Sequence, residues 1–201
     1  MQRGASHELK ERQISDDLLR KYDLLYIGSA CGIPGLDGEG LTKLLHRAKV
    51  LDCKTAMDIT GNPTRRSAAQ LLPALPNLDF FLPSAYEAMD LSGRDSPGKA
   101  ADYFMKRGSG GGGKMGGQGA LLSAGGKQEV FPAYEGPVVD TTGAGDAFVA
   151  GFLAAFSRGE SLPGCVQIGN GAGAKCVERL GSSGTLPDYQ ELISFTGLHR
   201  E

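Results

Sequence analysis

Short apolar runs alternate with stretches of helical period along most of this chain. Residues 23–29 (DLLYIGS), 53–59 (CKTAMDI) and 78–84 (LDFFLPS) read as strands, with helical patterns near 37–50, near 65–72 and after Ser84. Such punctuation predicts a mostly parallel sheet covered by helices, with binding residues at the carboxyl ends of strands, where Asp58 and Ser84 fall. A further helical stretch, 98–107, calls for a strand after it, but the sequence there is GSGGGG (108–113). Glycine loses too much entropy to hold a strand on its own, so the run reads as a linker-like segment between two stretches of sheet pattern. It also removes several Val- or Ile-sized side chains, each worth about 1.5–3 kcal/mol when buried, which predicts a marginal fold. The pattern resumes with 114–124 (KMGGQGALLSA), a turn and a strand, and 127–134 (KQEVFPAY), its hairpin partner. From Asp146 the chain reads as helical almost to its end.

Composition narrows the function. The 201 residues are 40% hydrophobic, enough for one sizeable core or for part of a larger domain, and 1–201 reads as a single partial domain. Lys plus Arg is 21 against Asp plus Glu 23, so no broad basic field exists for nucleic acid or an anionic membrane. Small-molecule chemistry is the better expectation. The longest nonpolar run, 147–156, is far short of the ~20 residues that span a bilayer, and the amino terminus (MQRGASHELKERQ) is too polar for a signal peptide. The expected location is the cytoplasm. Cys31, Cys53, Cys165 and Cys176 form no C-x-x-C pair and His7, His46 and His199 are far apart, which predicts free buried thiols and no spaced metal site.

The densest chemistry lies in 140–156, DTTGAGDAFVAGFLAAF. Gly143 and Gly145 let backbone approach a ligand closely, and the helix that follows aims unpaired N–H groups and its positive dipole end at the turn. An anion fits there. Asp146, in the first helical turn, can accept a proton from an alcohol placed beside that anion, the geometry of phosphoryl transfer. The plain alternative is a carboxylate that only complements the dipole, worth ~0.3–1 kcal/mol. Phe148, Phe152 and Phe156 at i, i+4, i+8 read as core, and Gly151 as a close helix contact.

This stretch closely resembles the carboxyl-terminal signature of the PfkB (ribokinase-like) carbohydrate kinases. The resemblance continues in order through FLPSAYEA (81–88), KMGGQGALL (114–122) and GNGAGAKCV (169–177) and covers nearly the whole chain. It implies a three-layer α/β fold with a mostly parallel central sheet, and an ATP-dependent kinase that phosphorylates a hydroxyl of a sugar or nucleoside with Mg2+. Position by position, it implies Asp146 as catalytic base and Gly143, Ala144 and Gly145 as the anion hole. Asp140 and Thr142 match positions that in many members help hold a monovalent cation such as K+, with backbone ligands around 181–184. Residues 83–87 (PSAYE) match an Asn-x-x-Glu motif: Glu87 is kept to organise magnesium through water, while Ser84 replaces the asparagine with a shorter contact to nucleotide-bound groups. Lys114, Gly116 and Gly119 match the turn beside the nucleotide phosphates, and Asn170 with 171–174 the helix flanking adenine. Asp58 and Asn62 match a region facing the transfer site, with loop capping as the alternative; Arg65 and Arg66 reach phosphate or only start a helix. A homodimer is compatible with the family.

Two other classes compete. GSGGGG and GNGAGA both satisfy G-x-G-x-x-G/A as text, but neither joins a strand to a helix, so a dinucleotide fingerprint is rejected; no P-loop motif is present either. The second is a noncatalytic, nucleotide-binding or scaffold fragment. The resemblance begins inside the family's domain, on the order of a hundred residues in, beyond the first strands, the lid and most sugar contacts. The chain as given is therefore expected to be a poor sugar kinase.

Overall fold

The structure, a computed structural model, describes residues 7–60, 65–182 and 187–198. Asn62, Gly184, His199 and the side chains of Arg65 and Arg66 lie outside the described residues. The chain packs as two compact units, Met1–Gly113 with Ser123–Lys127, and Lys114–Leu122 with Gln128–Glu201.

In the first unit, α1 (Asp16–Lys21) leads into β1 (Leu24–Ala30), α2 (Glu39–Val50), β2 (Lys54–Ile59), α3 (Arg65–Leu71), β3 (Phe80–Phe81), α4 (Ala85–Ser92) and α5 (Pro97–Met105). The strands pair in parallel, as the alternation predicts, and their order is β1-β2-β3. Helix α2 buries Leu41, Leu44, Leu45 and Ala48, one stripe of helical spacing, in a core shared with Met57 and Phe81. The third strand is far shorter than 78–84: Leu78 N–H turns back to Leu75 O at 3.0 Å, and Ser84 is already the cap of α4.

The glycine run departs further from expectation. Gly111–Lys114 is a strand, β4, and a parallel bridge pairs Phe80 with Gly110, where Phe81 N–H donates to Gly110 O at 2.9 Å. Backbone pairing with neighbours supplies what glycine cannot. Gly111 has φ +153°, and a Cβ there would overlap the Phe81 carbonyl, so the close approach itself demands glycine.

After β4 the chain makes a 3-10 turn (Gly116–Gln118), β5 (Ala120–Ala124) and β6 (Lys127–Phe131), and the second sheet runs β4-β5-β6. Gly125 and Gly126, both at positive φ, make the tight hairpin between β5 and β6. Then come α6 (Ala144–Phe156), α7 (Leu162–Val177) and α8 (Tyr189–Thr196). A Cβ on Gly151 would lie 2.9 Å from both Ala172 Cβ and Ile168 O, so α6 and α7 touch through a glycine as expected. Phe148 and Phe152 are buried; Phe156, read as core, is only half-buried. GNGAGA lies within α7. All four cysteines are free, three buried and Cys31 half-buried. Among the described residues no helix is long and apolar enough to cross a membrane.

Candidate functional site

The turn before α6 is shaped by one residue. Gly143 is the N-cap, at φ +82°, and a Cβ on it would lie 2.9 Å from Ser182 Cβ, so only glycine is unstrained there. Ala144 turns its N–H back to Thr141 O at 3.3 Å, while helix geometry leaves the N–H groups of Gly145 and Asp146 without intrahelical partners. Asp146 is the third residue of α6 and is exposed.

Beside this turn the second unit encloses a cavity of about 420 Å3. One wall is the glycine turn with Lys114, Gly116 and Gly119, another is α6 with Ala144, Gly145 and Phe148, and a third is α7 with Asn170, Gly173, Ala174 and Val177. The connection from β6 closes it with Tyr134 and Val138. A mostly apolar cavity that includes the start of α6 in its wall suits a heterocycle carrying an anionic tail. Lys114, Gly116, Gly119 and Asn170 therefore meet Ala144 and Gly145 around one cavity. Tyr134, Val138 and Phe148 were not foreseen as lining. Tyr134 comes from irregular chain and is held by its hydroxyl donating to Thr196 O at 3.1 Å; burial pushes that phenol up.

The turn and Asn170 also have architectural reasons. A Cβ on Gly119, at φ +95°, would overlap the Phe131 carbonyl, and Met115 N–H donates to Gly119 O at 2.8 Å to close the turn. Asn170 is buried and its amide donates to Phe131 O and Pro132 O at 3.1 and 3.2 Å, tying α7 to the end of β6.

Asp140 fastens the neighbouring loop. Its two oxygens accept from Thr142 N–H and Gly181 N–H, each at 2.9 Å, which brings together three of the positions implied for a monovalent cation. Each oxygen keeps further acceptor capacity, so the set fits such an ion. The backbone donors of Thr142, then Gly181, hold the Asp140 carboxyl below its ordinary value. A depressed folded-state pKa contributes stability above the unfolded value of about 3.9 and loses it as pH falls through the folded one. Thermal melts of wild type are thus expected to fall across that acid window, and Asp140→Asn to flatten that part of the profile. Nearby, Cys176 donates to Thr142 O at 3.6 Å; burial, then the charges of Asp140 and Asp146, push this thiol up.

In the first unit Ser84 and Glu87 form a reciprocal cap on α4. Glu87 Oε2 accepts from Ser84 N–H at 2.9 Å and Oγ–H at 2.6 Å, while Ser84 Oγ accepts from Glu87 N–H at 3.3 Å. A serine in the asparagine position thus bonds its own glutamate. Asp58 is buried at the end of β2, with Oδ1 accepting from Ile59 N–H at 2.8 Å, a local bond of the capping kind. No group of three or more His, Cys, Asp or Glu able to hold a metal occurs among the described residues.

The model of the pfkB family carbohydrate kinases matches residues 1–188. An uncharacterized sugar kinase of Archaeoglobus fulgidus is 31% identical over 186 residues, 92% of this chain and 72% of that protein. The crystal structure of ribokinase from Thermotoga maritima superposes with TM-score 0.80 at 28% identity, over 97% of this chain and 63% of that one. Arabidopsis thaliana ribokinase, solved with ribose and ATP, shares the fold at TM-score 0.76 and 22% identity, over 92% and 59%.

Proposed function

This chain belongs to the pfkB family of carbohydrate kinases and has their ribokinase-like α/β fold; from that premise we propose that it binds ATP in the cavity of the second unit and transfers the terminal phosphoryl group to a hydroxyl of a sugar or nucleoside. The observation that carries the reading is the apolar cavity opening on the first turn of α6, with Gly145 on its wall and Asp146 one residue further. Base and sugar of the nucleotide lie against Tyr134, Val138 and α7, and the phosphates run to the N–H groups at the helix start.

The chemistry then needs little covalent help. Asp146 takes the proton from the acceptor hydroxyl as its oxygen bonds to phosphorus. The bond from phosphorus to the β,γ-bridging oxygen breaks, and ADP leaves with that electron pair. Donors fixed at the start of α6 meet the charge without reorganising. Mg2+, when bound, would neutralise phosphate charge; Glu87 would serve its waters through Oε1, because Oε2 is engaged in the cap of α4. K+ is assigned to Asp140 and Thr142.

Calorimetric titration with ATP tests the assignment. Ala174→Trp puts an indole into the cavity from an α7 position that is only half-buried. The variant is expected to keep its circular dichroism and to lose at least about tenfold in ATP affinity, some 1.4 kcal/mol. Unchanged affinity would move the nucleotide elsewhere.

A further inference from the structure

We propose that the first unit carries a separate binding site for a compact anion bearing phosphoryl groups, where α5 meets the turn after α4. Arg94, Lys99, Asp102, Tyr103, Lys106 and Arg107 line a concave pocket of about 270 Å3 there. It shares no residue with the cavity of the second unit, so the proposal stands apart from the nucleotide reading. The volume falls below the ~300–1,000 Å3 usual for drug-sized ligands and suits a group of pyrophosphate size.

Tyr103 is the platform on which the cations are arranged. Its half-buried ring packs edge-on against Phe104, 5.2 Å between centres. Arg107, four residues on along the same helical face, lays its guanidinium 3.5 Å from the centre of that ring and donates from Nη1 to Tyr103 O at 2.8 Å. Arg94 arrives from the turn that follows the left-handed cap Gly93 and stands over the same ring at 5.4 Å. Two guanidiniums from opposite ends of α5 are thus brought to one aromatic ring. Stacking uses the faces of a guanidinium and not its in-plane donors, and the backbone bond takes only one of the five that Arg107 carries.

Ordinary helix electrostatics explain part of this arrangement only. Lys106 and Arg107 follow the last residue of α5, where the negative end of the dipole favours cations. Arg94 precedes the N-cap Ser96, where the positive end disfavours one. Residues 94–107 hold four cations against two carboxylates, in a chain whose net charge is -2. Asp95 pairs with Lys99 at 2.9 Å through an exposed bridge that water and salt weaken, and Asp102 lies in the pocket wall. The local surplus is two positive charges, which a phosphoryl dianion matches. Guanidinium forks take phosphoryl oxygens in pairs, and Lys106 adds a compact charge beside them.

Calorimetric titration of this chain with pyrophosphate tests the site. Wild type is expected to bind it, and Arg94→Gln/Arg107→Gln to lose about ten- to a hundredfold in affinity, the worth of hydrogen bonds to a charged group. Arg94→Gln alone leaves the Arg107 bond to α5 in place and should lose about three- to tenfold, so the test survives a double variant that fails to fold. Lys10→Gln/Arg12→Gln removes the same charge from another exposed stretch of the first unit and should bind as wild type does. Equal losses in the two double variants would reduce the effect to general attraction. Unchanged affinity in folded Arg94→Gln/Arg107→Gln, or in Arg94→Gln, would place the anion elsewhere. Either result, or no binding by folded wild type, overturns the proposal, while the nucleotide reading keeps its own test with ATP.

Discussion

Asp146→Asn is expected to lower phosphoryl transfer by about 10²- to 10⁴-fold, the typical contribution of a general base, with ATP affinity essentially unchanged. The split follows from position. Asp146 is exposed at the third residue of α6 and is not among the residues that wall the cavity, so the proposed transfer asks it to meet the acceptor hydroxyl and not the heterocycle. Asparagine keeps the size and the local helix start, but it cannot take the proton. The chain spans 63% of the Thermotoga maritima ribokinase, so the coupled ADP-release assay is best run on this chain and on a fusion carrying the rest of that domain. Ribose, fructose, 2-keto-3-deoxygluconate and nucleosides are the acceptors to compare. Wild-type turnover by the asparagine variant would reduce Asp146 to a dipole complement.

The site was legible where local chemistry dictates it. Gly143 must be glycine because its φ is positive and Ser182 crowds it, Asp146 follows a helix start, and both facts are written in four consecutive letters of sequence. The parallel pairing of β1, β2 and β3 was legible for a similar reason, since strands separated by helical crossovers pair in parallel. Residues recruited from afar were not. Tyr134, read as the end of a strand over 127–134, and Val138 line the cavity from irregular chain beyond β6, which stops at Phe131, and Tyr134 is held by a bond to Thr196, distant in sequence. The Ser84–Glu87 pair shows a third case: Ser-x-x-Glu is a local capping signature, and its hydrogen bonds close as that signature predicts. The glycine run is a strand although its own side chains give no sign of one. It pairs through backbone partners that the local sequence does not display.

Gly111→Val is accordingly expected to weaken the fold severely, although a valine-rich strand looks better by composition. Gly111 holds φ +153°, and the space its Cβ would take is filled by the Phe81 carbonyl, with Phe81 N only 2.8 Å away. Phe81 cannot retreat easily. It is 4% exposed, packed edge-on against Phe104 at 4.8 Å between ring centres, and its N–H donates to Gly110 O at 2.9 Å. Valine would force β3 and the glycine strand apart, adding overpacking of about 1–3 kcal/mol to the loss of a buried hydrogen bond of about 1–3 kcal/mol. Together these approach the lower end of the ~5–15 kcal/mol that stabilises a domain. For a chain of this length a loss of ~4 kcal/mol lowers Tm by about 8–16 °C. Gly117→Ala is the control, because a Cβ there meets nothing within 4 Å, and it should melt close to wild type. If Gly111→Val melts there too, the contact with Phe81 is not what reserves this position for glycine, and the strand would tolerate the side chains its composition lacks.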